Sequence, residues 1–143
     1  MSRKFIHITS DKKYNVVELP RENFNDFVHK VLDCSIFETA PLFDNYVFIL
    51  DESGKLKEKH INFIATVMYP GFPTDIIVGD ALVAKVEFVE EYGEHDLCGL
   101  EDEEIEFFLN LCKATDSLEY LLDRNMRRSS NSDKKENVTN GSE

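Results

Sequence analysis

Basic residues are missing from one long stretch of this chain: between Val86 and Cys112 there is no Lys and no Arg. Other absences narrow the class first. No apolar run approaches the ~20 residues that span a bilayer. The start, Met1-Ser2-Arg3-Lys4 before Phe5-Ile6-His7-Ile8-Thr9, is too short and interrupted for a signal-peptide core. Cysteine is scarce, and Cys34, Cys98 and Cys112 form an odd, scattered set. That pattern suits reduced thiols and not a disulfide framework. Asn137-Val138-Thr139 and Asn140-Gly141-Ser142 match glycosylation sequons, which mean little without secretion. These features together predict a cytoplasmic protein with no membrane partner.

Catalytic signatures are also missing. There is no Walker loop and no Gly-rich dinucleotide fingerprint, so no phosphate cradle is predicted. Cys34 lies beside Asp33, which raises a thiol pKa instead of activating it. Cys112 falls on an apolar helix face, where an inert buried thiol is the usual case. His7, His29 and His60 sit in separate elements without a shared motif. Carboxylate pairs are so abundant that none singles itself out for acid–base work. The expectation is a non-enzymatic protein with no cofactor.

What fills the stretch without cations is acid. Glu87, Glu90, Glu91, Glu94, Asp96, Glu101, Asp102, Glu103, Glu104 and Glu106 lie within it. The whole chain carries −12 at a pI near 4.7. The end from Arg127 to Glu143 has four basic and three acidic residues, so the acidity belongs to the part before it. Such a field repels a nucleic acid backbone and attracts a basic protein surface or a cation. A solvated face that only aids solubility explains the same residues through helix first-turn and outward strand positions. Like charges at this density repel one another, and a cationic partner relieves that cost.

Periodicity predicts the elements. Phe5–Thr9 and Tyr14–Leu19 read as strands joined by the polar turn Ser10-Asp11-Lys12-Lys13. Phe24, Phe27, Val28, Val31 and Leu32 recur at the spacing of a helix with one buried face, behind Pro20. Ser35 to Phe43 reads as extended, with Pro41 arguing for an edge or a strand end. Tyr46 to Leu50 is a continuous apolar strand stopped by Asp51-Glu52-Ser53-Gly54. The run Asn62 to Val67 fits a short helix or a strand. Tyr69-Pro70-Gly71-Phe72-Pro73 is a loop, and Ile76–Val78 and Ala81–Val89 are extended around a bend at Gly79-Asp80.

Further on, Tyr92 to Gly99 reads as a loop. Acids from Glu101 then crowd a helical first turn ahead of Ile105, Phe108, Leu109 and Cys112. Thr115-Asp116-Ser117 offers caps for a second helical piece through Leu118, Leu121 and Leu122. Residues 127–143 are too polar to repay ordering and read as a disordered tail. The fold expected is α+β, a mostly antiparallel sheet packed by two or three helices in one domain over 1–126.

Metal sites are not predicted. Glu94-His95-Asp96 with Cys98 is the only compact cluster of ligand types, and a structural zinc needs four ligands, commonly as two close pairs. Tyr92 to Asp96 also lacks the register of a calcium loop. A small-molecule alternative rests on Lys55, Lys57 and Lys59 as phosphate holders and on Tyr69 and Phe72 as stacking rings.

Four pieces stand in a telling order: Asp51-Glu52-Ser53-Gly54-Lys55-Leu56, Asn62-Phe63-Ile64-Ala65, Asp75-Ile76-Ile77-Val78-Gly79 and Leu100-Glu101-Asp102-Glu103-Glu104-Ile105. Together they resemble the domain of unknown function 3846 family, over roughly Phe5 to Cys112. The chain departs from that pattern at Phe63, where the family often has Arg. The resemblance implies a phage or mobile-element protein working inside a Gram-positive bacterium, and it transfers no activity. The leading expectation is a protein that uses its ten acids to bind and block a basic host protein handling nucleic acid or defence, as a DNA mimic does. It would not bind nucleic acid directly. The alternative is a homo-oligomeric sponge that sequesters a nucleotide second messenger through Lys55, Lys57, Lys59, Tyr69 and Phe72.

Overall fold

A computed structural model describes residues 2–118 together with 121 and 124. Strands β1 (Ser2–Ile8) and β2 (Tyr14–Pro20) form the expected hairpin, in register from Ser2↔Pro20 to Ile8↔Tyr14. Its turn closes with Lys12 N–H donating to the Thr9 carbonyl at 3.1 Å. Helix α1 (Phe24–Leu32) buries Val28 and Leu32, while Phe27 at the margin of the predicted face stays partly exposed. Strand β3 (Phe37–Pro41) ends on its proline, and β4 (Tyr46–Asp51) follows. The ambiguous run after Asn62 is helix α2 (Phe63–Met68), because the Asn62 side-chain oxygen accepts from Ala65 N–H and caps it. Strands β5 (Ala81–Val89) and β6 (Glu94–Cys98) and helix α3 (102–118, with 121 and 124 also helical) complete the order.

The six strands make one antiparallel sheet in the order β2-β1-β5-β4-β3, with β6 also on β5. Val83 is paired on both sides, by Ile6 of β1 and Phe48 of β4. Where β1 ends, β6 takes over its side of β5, from Lys85↔Cys98 to Val89↔Glu94. The ladder to β4 stops at Lys85, so β5 and β6 run on as a two-stranded acidic ribbon.

Strand alternation sends side chains to two separate cores. Ile6, Ile8, Phe48, Ala81 and Val83 pack with Ile64 of α2 and with Ile105, Phe108 and Cys112 of α3. Phe5, Ile49, Leu82 and Ala84 face the other way, onto Val28 and Leu32 of α1. The result is a sheet covered on both faces, an α+β fold of three layers.

Three expectations need correction. The segment from Tyr92 to Gly99 is not all loop, since Glu94–Cys98 is strand β6. Glu94, His95 and Asp96 give it no apolar alternation, and its ladder with β5 holds it instead. Ile76–Val78 forms no strand, only a single bridge from Val78 to Ile61. Thr115 does not start a new helix either. It lies inside α3, buried, and its hydroxyl donates to the Leu111 carbonyl at 2.8 Å. The polar tail expected over 127–143 lies outside the described residues.

Candidate functional site

The ten acids separate into structural and exposed groups once their neighbours are known. Lys85 sits on the β5 face that continues Ala81 and Val83, nearly buried beside the α3 start. Its Nζ lies 2.8 Å from Glu87 Oε1 and 2.9 Å from Glu104 Oε1. The Tyr46 hydroxyl donates to the other Glu104 oxygen, and Glu101 N–H donates to Oε1 at 2.8 Å. Burial pushes the Glu104 carboxyl up, and the bonds from Tyr46, the Glu101 amide and Lys85 outweigh it and hold it below its ordinary value. Burial alone would lower the Lys85 pKa, yet Glu87 and Glu104 raise it. Glu104 thus locks α3 to β4 and β5, and it is not a free contact residue. Its Glu101-to-Glu104 bond closes the first turn of α3 much as a capping box does.

Asp102 is likewise paired, with Lys4 at 3.1 Å across an exposed surface. A cleft of about 470 Å³ opens there, lined by Arg3, Lys4, Lys85, Glu87 and Asp102 among others. Lys4 pairs with Asp102 and Lys85 with Glu87 along it, and Arg3 Nη1 donates to the Leu97 carbonyl at 2.8 Å. The remaining acids are more open. Glu90, Glu91 and Glu94 stand exposed on the ribbon tip, with Asp96 half-buried at its base, Glu101 exposed just before α3, and Glu103 and Glu106 exposed on it. Phe88 and Tyr92 share the ribbon at 55% and 53% exposure, far above what a core strand leaves open. Gly93 makes the reversal at φ 66, and its N–H donates to the Val89 carbonyl at 2.9 Å.

Three of the four motif pieces of the resemblance lie elsewhere, around two polar knots, while Leu100–Ile105 belongs to the Lys85 cluster. Asn62 is fully buried, and its Nδ2 donates to the carbonyls of Ile8 and Gly79, both at 2.9 Å. Thr66 Oγ1 accepts Ile77 N–H at 2.9 Å and returns a bond to the Ile77 carbonyl. One amide therefore ties β1, α2 and the segment leading into β5. Gly79 has φ 75, and a Cβ there would sit 2.8 Å from the Lys59 side chain. Asp51 is the second knot. Lys57 and Lys59 both reach its Oδ2 at 2.9 Å, and Ser53 N–H donates to Oδ1. These residues organise backbone, a structural role for the short motifs that contain them.

The same geometry disperses the alternative ligand set. Lys59 also donates to the Leu32 and Asp33 carbonyls at 2.8 Å, capping the C-terminus of α1. Lys55 is bonded to Asp75, and Asp75 is held low by that bond. Lys55 and Tyr69 do line one cavity, of about 120 Å³, together with Glu38, Asp51, Glu52 and Asp75. Nucleotide-sized ligands need roughly 300 Å³ or more, and four carboxylates oppose phosphate. Phe72 is half exposed and does not line that cavity, and Lys57 and Lys59 lie outside its lining with their charges spent on Asp51. Among the described residues no group of three or more His, Cys, Asp or Glu could hold a metal ion. The thiols of Cys34 and Cys98 are raised by burial, and that of Cys112 is pushed up to about 12 by burial.

One pair escaped sequence reading altogether. His7 Nε2 lies 2.8 Å from Asp80 Oδ2, while Asp80 Oδ1 accepts Ser10 N–H at 3.2 Å. Burial raises the Asp80 carboxyl, and these two bonds overcome it and hold the group below its ordinary value. Asp51 behaves the same way: burial raises it, and Lys59, Lys57 and Ser53 bring it down. Carboxyls depressed on folding stabilise the protein above their unfolded pKa of about 4, and that stability is lost as pH falls through the folded values. We therefore expect urea midpoints to drop steeply between about pH 4.5 and about pH 3, and Asp80→Asn to flatten part of that slope. A midpoint unchanged across this range would refute the assignment.

Among the described residues no helix is long and apolar enough to cross a membrane. No curated protein and no solved structure matches the chain. A family model, domain of unknown function (DUF3846), matches residues 3–113, a span that takes in the Asn62 and Asp51 knots, the Lys85 cluster and the acidic ribbon. The protein belongs to the DUF3846 family.

Proposed function

We propose that the protein is a non-enzymatic binder that engages the basic surface of a nucleic-acid-handling or defence protein through its acidic ribbon. In a phage or mobile-element setting, such a contact would block the host protein by occupying the place of DNA. The observation that carries this reading is the ribbon itself. It projects Glu90, Glu91 and Glu94 beyond the β4 ladder, with two exposed aromatic rings beside them. Charge of one sign steers a basic partner and sets the register of contact, and exposed aromatics supply the area that anchors it. The acids of α3 extend the same field, with Glu104 withdrawn into the Lys85 cluster. The nucleotide-sponge alternative has less support, since Lys55, Lys57 and Lys59 are each engaged by Asp75 or Asp51.

The test is charge reversal at the ribbon tip, where Glu90, Glu91 and Glu94 make no ion pair among the described residues. In a Gram-positive lysate, immobilised wild-type protein should retain a basic protein at about 50 mM salt and release it at about 500 mM. The Glu90→Lys/Glu91→Lys/Glu94→Lys variant should retain none of it while unfolding within about 0.5 kcal/mol of wild type. An unchanged set of captured proteins on the reversed ribbon would end the proposal.

A further inference from the structure

Helix α3 carries a second apolar stripe, of which only Leu111 packs partly against the core and the rest stands open. Ile105, Phe108, Cys112 and Thr115 are its buried face. Phe107, Leu111, Ala114, Leu118 and Leu121 form the other line, at successive steps of four, three, four and three. At 100° per residue this line lies about 120° around the helix from the buried face. Phe107, Leu118 and Leu121 are 52%, 43% and 53% exposed, and Ala114 is exposed as well. Phe43, itself partly exposed, sets its ring edge-on to Phe107 at 6.2 Å and widens the patch. Alternating steps of three and four are the pattern of a seam between paired helices, where each side chain seats among those of a facing helix.

We propose that this stripe pairs with the same stripe of a second copy, the two α3 helices running antiparallel. Self-pairing follows from the stripe's own character, since it holds no charge from Phe107 to Leu121 and presents an equivalent line to a twofold mate. The direction follows from the flanks. One flank, Phe108 and Thr115, is buried in the core and cannot bridge. The other carries Glu103, Asn110, Ser117 and Arg124 at seven-residue intervals. Antiparallel pairing sets Phe107 against Leu118 and Leu111 against Ala114 of the second copy. It then brings Glu103 to Arg124, and Asn110 to Ser117, twice over by symmetry. A parallel pair would leave Glu103 and Arg124 at opposite ends.

Sedimentation velocity on the full chain, over a concentration series, tests this. The expected species has twice the 16.5 kDa chain mass. Leu118→Glu should weaken the dimer roughly a hundredfold or more by placing a charge in the seam. Glu103→Arg and Arg124→Glu alone should each weaken it roughly five- to tenfold, because each pair occurs twice, and the double swap should restore it. All three positions are exposed, so the fold survives these changes. A monomer at every concentration overturns the proposal. So does a dimer indifferent to Leu118→Glu, or a double swap that stays as weak as its parents.

Discussion

Asn62→Ala should lower stability by roughly 3–5 kcal/mol, the largest loss we expect from any single polar residue here. The side chain makes three bonds, to the Ile8 carbonyl, the Gly79 carbonyl and the Ala65 amide, at a position with no solvent exposure. Truncation removes all three bonds, and each buried group left unsatisfied costs about 1–3 kcal/mol. A water entering the vacated space recovers part of that. For a domain of this size the melting temperature should fall by roughly 10 °C or more. Asn62→Asp keeps the cap on Ala65 but loses both donors, so it should be nearly as damaging. Thermal melts of both variants decide the matter. A shift of only a degree or two would show that the knot does not hold β1, α2 and the approach to β5 together.

Lys85→Met is expected to cost about 2–3 kcal/mol at neutral pH, a figure discounted because the cluster opens to solvent beside Glu87. Methionine preserves the packing of the aliphatic stem, so what is removed is the charge between Glu87 and Glu104. Without it, burial and mutual repulsion should raise the folded pKa of Glu104 above its unfolded value. A group raised on folding penalises the native state at high pH, and the penalty fades as pH falls through the raised value. The deficit against wild type should therefore shrink between about pH 7.5 and about pH 5, where the native carboxyl can take a proton. Urea unfolding at both pH values measures it. An equal deficit at both would mean that packing, and not charge, is what Lys85 supplies.

Apolar periodicity carried most of the fold into the sequence. The β1–β2 hairpin, α1, β4 and the start of α3 each have a run of side chains whose spacing allows one solution. Where periodicity failed, long-range bonds decide the structure. β6 contains Glu94, His95 and Asp96 and pairs only because β5 offers a free side past Val83. Asn62–Val67 suited a helix or a strand until the Asn62 cap on Ala65 settled it. The acidic band was legible as composition, but its division was not. Glu104 reads like its neighbours Glu103 and Glu106, and only the folded positions of Lys85 and Tyr46 set it apart. The lysines at 55, 57 and 59 read as phosphate holders because the sequence does not show that the fold brings Asp51 and Asp75 to them.

The dimer and the acidic ribbon draw on different surfaces. The ribbon tip lies at Glu90 to Glu94, while the seam runs from Phe107 to Leu121, so loss of one leaves the other measurable. Glu103 alone belongs to both the acidic field and the pairing flank, which is why the ribbon test leaves it untouched.

The measurement that reaches the central claim most directly is amide hydrogen exchange with and without the captured basic protein. The account predicts slowed exchange across residues 86–98 on binding, with residues 55–73 unchanged. Protection confined to residues 55–73, or none in the ribbon, would contradict it.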